Sequence, residues 1–154
     1  MAPLPPLFLD LDGVLADFDR GVRAVTGRFP HEMSVRALWA AVGRHPDFFA
    51  TLAFTPDGRD LWDFCAPHRP TILTGLPLGT WAAPQKRRWV AERLGADVPV
   101  IACMARDKQC HAVAGAVLVD DREKARPPWE GAGGAFIRHT DAASTIAALR
   151  RMGF

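Results

Sequence analysis

Apolar positions along this 154-residue chain follow two rhythms. Short unbroken runs end in polar or small residues: Leu7-Phe8-Leu9 before Asp10, PTILTG closing on Thr74 and Gly75, VPVIAC, AGAVLVDD closing on Asp120 and Asp121, and GGAFIRH. Runs of this length between Gly, Pro and Asp predict strands, and a run with no polar face predicts one covered on both sides. Between them the spacing turns helical. Phe18, Val22 and Val25 recur at i, i+4, i+7 until Gly27 and Pro30 stop the helix, and a second helix runs from about Ser34 to Val42 with Leu38 and Trp39, ending at Gly43. Thr55 and Pro56 read as N-cap and first residue of a helix through Leu61, Trp62 and Phe64. Pro84 opens a helix carrying Trp89, Val90 and Leu94 that Gly95 stops, and Asp141 caps a last one over Ala142 to Arg151.

Residues 18–68 hold helices and an apolar patch, Phe48, Phe49, Leu52 and Phe54, but no strand, so they read as a helical insertion. From Arg69 onward strands and helices alternate, which implies right-handed crossovers and a parallel sheet with helices on both faces. The expected architecture is α/β. A doubly wound parallel sheet comes from residues 1–17 and 69–154, and a small helical cap from residues 18–68 after the first strand.

Composition narrows the class. With 49% hydrophobic residues the chain can bury a real core, and a net charge of +2 without a basic cluster argues against a nucleic-acid polymer as partner. Of the 19 basic residues only three are lysines, Lys86, Lys108 and Lys124, which singles each of them out. Cys65, Cys103 and Cys110 lack metal or redox spacing and read as reduced thiols, and His31, His45, His68, His111 and His139 are scattered without metal-ligand spacing. The N-terminal MAPLPPLFLDLD has no positive n-region and its apolar stretch breaks at Asp10. It reads as neither signal peptide nor membrane span, and the expected setting is cytoplasmic.

The chemistry gathers at strand ends. Asp10 and Asp12 are two apart, so on an alternating strand they project together, and like charges that close are costly unless a cation lies between them or one member keeps its proton. In an open parallel sheet the ligand crevice lies beyond the carboxyl ends of the strands, where Thr74 and the Asp120-Asp121 pair would also arrive. Four converging carboxylates call for a hard divalent cation such as Mg²⁺, and Mg²⁺ pairs readily with phosphate oxygens, which makes a phosphoryl group the expected piece of the substrate.

These residues resemble the haloacid dehalogenase (HAD) superfamily of phosphohydrolases: DLDGV at 10–14, ILTG at 72–75, a lysine, and VDD at 119–121 match its four motifs in order. The resemblance implies an aspartyl-phosphate mechanism with Asp10 as nucleophile and Asp12 as acid and base. It also implies Mg²⁺ held by the Asp10 carboxylate, the Asp12 carbonyl and an acid of the Asp120-Asp121 pair, with Asp121 favoured. Thr74 and the backbone N–H groups of Gly13 and Val14 would bind the phosphoryl oxygens. Lys108 is the preferred third-motif lysine, Lys86 the alternative, and Lys124 reads as a surface residue. A narrower resemblance to the 5'(3')-deoxyribonucleotidases rests on the opening segment DLDGVLADFDRGVRAVTGRFP, on PQKRRWVAERLG, on ARDK and VDDR, and on PPWEGAGGAFIRH. It implies a small phosphorylated substrate, a (deoxy)nucleoside monophosphate, with the base stacked on Phe18, Trp39 and one of Phe48 or Phe49. The alternative for these aromatics is the core of the cap. Gly75 stands where that family has a hydroxyl residue. Other readings are a phosphatase for another small phosphorylated metabolite and, in a different class, a non-catalytic phosphate-binding module.

Overall fold

A computed structural model describes residues 2–154. Five parallel strands, β1 (Leu7–Leu9), β2 (Thr71–Gly75), β3 (Val100–Cys103), β4 (Val117–Asp120) and β5 (Ala135–Arg138), form one sheet in the order β3-β2-β1-β4-β5. The six α-helices are α1 (Phe18–Thr26), α2 (Val35–Arg44), α3 (Gly58–Cys65), α4 (Ala82–Arg93), α5 (Arg126–Gly131) and α6 (Ala142–Arg151). No helix among the described residues is long and apolar enough to cross a membrane.

The run of buried strand residues splits by parity between two apolar clusters. Leu7, Leu9, Ile72, Val117 and Val119 join Trp89 and Val90 of α4 and Leu149 of α6, while Phe8, Leu73, Leu118 and Phe136 meet Trp129 of α5. Side chains alternate across a strand, so a run apolar at every position fills both layers and fixes the doubly covered sheet. β1 is central and pairs with β2 and β4 on either side, Leu9 opposite both Ile72 and Val119.

The helical insertion between β1 and β2 is tied at its neck. Asp17 N–H donates to the Ala53 carbonyl (2.8 Å) and Thr55 N–H to the Leu15 carbonyl (2.8 Å), with an antiparallel bridge between Ala16 and Phe54. The larger apolar cluster runs without a break from the sheet into the insertion, taking in Val22, Leu38, Val42, Phe48, Phe49 and Leu52.

Three helix boundaries differ from those the sequence predicts. The helix expected to begin at Thr55-Pro56 starts at Gly58, because the Thr55 hydroxyl is engaged by the Val14 carbonyl (3.1 Å) and holds the neck instead. The helix assigned to Pro84 begins at Ala82, with Pro84 in its first turn, where a missing N–H leaves no bond unmade. The helix expected to stop at Gly43 runs on through Arg44. Cys65, fully buried, has its thiol pushed up to about 12 by burial and is inert, as a core thiol should be.

Candidate active site

Parallel strands all end at one edge, so the sheet itself delivers the acids. β1 stops at Leu9, and the chain then closes a tight turn in which the Leu11 carbonyl accepts from the N–H groups of Leu15 and Ala16, each at 2.9 Å. Gly13 has φ +82°, and a Cβ there would run into the Asp121 carboxylate. Glycine is required at that position both for the left-handed backbone and for the space that Asp121 fills. β4 ends on Asp120, and β2 on Thr74 and Gly75. Two lysines come in from beyond the sheet, Lys86 from α4 and Lys108 from the short 3-10 helix Ala105–His111 after β3.

Each lysine serves a different acid. The Lys108 ammonium lies 3.0 Å from Asp10 Oδ1 and 2.8 Å from Asp120 Oδ2. The Lys86 ammonium lies 2.6 Å from Asp12 Oδ2, 3.0 Å from Thr74 Oγ1 and 2.6 Å from the Gly75 carbonyl. Both lysines are buried, as are Asp10, Thr74 and Asp120. Two ammoniums against four carboxylates leave the cluster acidic. The surplus shows in Asp121, whose carboxyl is pushed up to about 7, first by burial and then by the charges of Asp10 and Asp120. Burial and the Asp10 charge likewise raise Asp120, against the pull of Lys108. For Lys108 burial works to lower its pKa, but the Asp10 and Asp120 carboxylates outweigh it and hold the ammonium above its usual range.

The donor set suits a hard cation. Carboxylate oxygens of Asp10, Asp120 and Asp121 all lie within 4.8 Å of one another, and Asp121 Oδ1 is buried with no hydrogen-bond partner among the described residues. An orphaned buried acid beside two others is an all-oxygen cradle of the kind Mg²⁺ takes.

Several sequence expectations meet a different geometry. The N–H groups of Gly13 and Val14, expected as phosphoryl donors, close the turn instead, to the Ala16 carbonyl (2.8 Å) and the Leu11 carbonyl (3.3 Å). Lys86, expected among the substrate contacts, has three acceptors for its three N–H donors. Gly75 takes part through its carbonyl, and a Cβ there would press on Ala105 at 3.2 Å, so a larger residue would crowd the loop that leads into the Lys108 helix. Phe48 and Phe49 are each 1% exposed and pack edge to face at 5.1 Å, which makes them core of the insertion. Phe18 and Trp39 lie 5.9 Å apart and both stay partly exposed. Lys124, read as surface, lies in the short 3-10 helix Glu123–Ala125 and is exposed.

Two residues near the site escape the sequence reading. Gln85 accepts from the Phe49 N–H (2.9 Å) and donates to the Pro46 carbonyl (3.2 Å), which sets the Phe49 ring 4.5 Å from the Lys86 ammonium. Trp81 packs on Phe49 at 5.5 Å. Gln85 is adjacent to Lys86, but a lone glutamine on a helix carries no sign that it clasps a segment 36 residues earlier in the chain.

Comparison with known proteins adds a lineage to this geometry. No protein-family model matches the chain. The hydrolase of Streptococcus pneumoniae TIGR4 has a similar structure, with a TM-score of 0.58 at 10% identity over 97% of this chain and 100% of that one. The L-2-haloacid dehalogenase of Xanthobacter autotrophicus with covalently bound chloropropionic acid follows, with a TM-score of 0.51 at 14% identity over 88% of this chain and 77% of that one. At these identities the likeness speaks for the fold alone. In sequence, the cytosolic-type 5'(3')-deoxyribonucleotidase of Homo sapiens is 31% identical over 163 residues, covering 84% of this chain and 79% of its own. Similarity of that extent, on a shared fold, shows that the chain belongs to the HAD superfamily of phosphohydrolases, in the family of the 5'(3')-deoxyribonucleotidases.

Proposed function

We propose that this HAD hydrolase is a Mg²⁺-dependent phosphomonoesterase working through an aspartyl-phosphate, with a (deoxy)nucleoside monophosphate as the substrate class. The observation that carries the reading is the under-neutralised acid cluster, in which Asp121 keeps a buried, unpartnered oxygen within reach of Asp10 and Asp120. Mg²⁺ would be held by the Asp10 and Asp121 carboxylates and the Asp12 carbonyl, with Asp120 alongside. It supplies charge neutralisation for the carboxylates and for the incoming phosphoryl oxygens.

The chain's own residues divide the remaining work. Asp10 attacks phosphorus through a carboxylate oxygen; the ester P–O bond breaks, and its electron pair leaves on the departing oxygen, which takes a proton from Asp12. Water then attacks the phosphorus of the aspartyl-phosphate and gives its proton to Asp12, the P–O bond to Asp10 breaks, and inorganic phosphate departs. Lys108 uses two of its three N–H donors on Asp10 and Asp120, which leaves the third for a phosphoryl oxygen. The Thr74 hydroxyl accepts from Lys86, so its own hydrogen is free to donate to another.

Residues 18–68 act in this reading as a small cap over a core of residues 1–17 and 69–154, and the partly exposed faces of Phe18 and Trp39 take the base. Burial of Phe48 and Phe49 favours a second reading, in which the cap aromatics only build its core and the substrate is another small phosphorylated metabolite.

Inorganic phosphate release across a panel of nucleotides and sugar phosphates, with Mg²⁺ or with a chelator, tests both. The expected result is metal-dependent turnover, favouring deoxynucleoside monophosphates, that Asp10→Asn abolishes. Turnover persisting in that variant sinks the mechanism, and equal efficiency on sugar phosphates moves the substrate to the second reading.

A further inference from the structure

Lys86 is a fully buried cation. Its ammonium touches Asp12, Thr74 and the Gly75 carbonyl on one side, and on the other it faces the Phe49 ring at 4.5 Å. A protonated lysine has three N–H donors, and three oxygens already take them. The consequence for Asp12 is asymmetric. Oδ2 is pinned at 2.6 Å, while Oδ1 is buried without a partner among the described residues. A carboxylate free to spin about its terminal torsion samples many orientations; one held by a buried ammonium keeps one.

We propose that Lys86 is a positioning residue that, by holding Oδ2, fixes the Asp12 carboxylate in the orientation from which it exchanges a proton with the ester oxygen of the substrate. The assignment rests on the phosphomonoesterase reading above and goes beyond it, since it gives the second site lysine a task apart from binding phosphate. As the P–O bond breaks, its electron pair stays on the ester oxygen and the proton on Asp12 crosses to it. In the second half-reaction the attacking water returns a proton to the same carboxylate. Phe49 roofs the ammonium, and Gln85 holds that roof in place through the Phe49 N–H and the Pro46 carbonyl. Burial of the ammonium strengthens its hold on Asp12, which is what makes the pair directional.

The test uses leaving groups that differ in their need for a proton. Phosphoenzyme formation by Lys86→Met is followed by rapid quench with p-nitrophenyl phosphate, whose phenolate leaves unaided, and with a nucleoside 5'-monophosphate, whose alkoxide does not. The aryl burst should stay within about threefold of the unsubstituted enzyme while the alkyl burst falls about 10²-fold or more, the usual worth of a placed general acid. Steady-state turnover should drop on both substrates with little change in KM, because water attack needs the same carboxylate. Equal loss of both bursts, or a rise in KM as the main effect, overturns the proposal and makes Lys86 a phosphate ligand or a packing residue. Gln85→Leu, which leaves the ion pair intact, should show the same asymmetry on a smaller scale, so an unstable Lys86 variant does not remove the test; a symmetric loss there overturns it equally. Absence of any burst in the unsubstituted enzyme removes the parent reading and this one together. A normal wild-type burst with symmetric loss in the variants removes only this one.

Discussion

The site depends on a few contacts that single substitutions can interrogate. Lys108 joins Asp10 to Asp120, and without it two buried carboxylates face each other bare. Removing one partner of a buried ion pair costs about 3–5 kcal/mol. Lys108→Met should therefore lose most of its activity and unfold at markedly lower urea concentration, and Mg²⁺ should recover stability but not turnover, because the cation can screen the acids and cannot replace the phosphoryl contact proposed for the lysine. Gly13→Ala should fold but bind Mg²⁺ weakly, because the new methyl takes the place of the Asp121 carboxylate; calorimetric titration with Mg²⁺ checks it. At this scale the sequence was most informative where chemistry forces residue type. Asp10, Asp12, Thr74, Asp120 and Asp121 sit at strand ends, and strand ends are visible as the close of apolar runs. That Lys86 serves Asp12 was not visible, because that depends on how far α4 reaches over the sheet edge.

Among the elements, α4 stands out as the clasp for the insertion. Four of its side chains grip residues 46–52: Gln85 as described, Arg88 on Asp47 (2.7 Å), Trp89 through its indole N–H on the Leu52 carbonyl (2.8 Å), and Lys86 beneath Phe49. Trp89 is completely buried, so Trp89→Ala should cost about 3–5 kcal/mol and loosen the insertion, read out as a lower urea midpoint and faster amide exchange in residues 46–52. Arg88→Ala removes only an exposed pair and should be close to neutral in the same melts. The five strands and the principal helices follow from apolar rhythm, because parity and 3.6-residue spacing are local properties. The helix start at Gly58 does not, because long-range anchors, Thr55 on Val14 and Asp57 on the Ala142 N–H (2.6 Å), set it.

For the molecule as a whole, the acid cluster couples stability to pH and to metal. In the metal-free protein Asp121 holds its proton up to about pH 7, whereas in the unfolded chain it releases it near its ordinary 3.8. A folded pKa raised above the unfolded one contributes stability that is complete at low pH and is lost as pH rises between those two values, at about 1.4 kcal/mol for each pH unit crossed. Buried His139, lowered by burial, acts in the opposite sense below its ordinary 6.5, so Asp121→Asn is the comparison that isolates the acid. Scanning calorimetry in chelator should show the unsubstituted protein losing more Tm than Asp121→Asn between about pH 5.5 and about pH 8. Added Mg²⁺ should restore it most at the higher pH, where the cradle is fully charged.

The chain contains five tryptophans and no tyrosine, so its near-ultraviolet emission comes from indoles alone. Trp89 is shut inside the junction where α4 grips the insertion, with its N–H on Leu52, and Trp81 leans half-exposed on the same Phe49 that roofs Lys86. With buried Trp62 and Trp129 replaced by phenylalanine, light emitted at the blue end reports whether that junction is shut, and a red shift on ligand addition would register its parting without any label being attached.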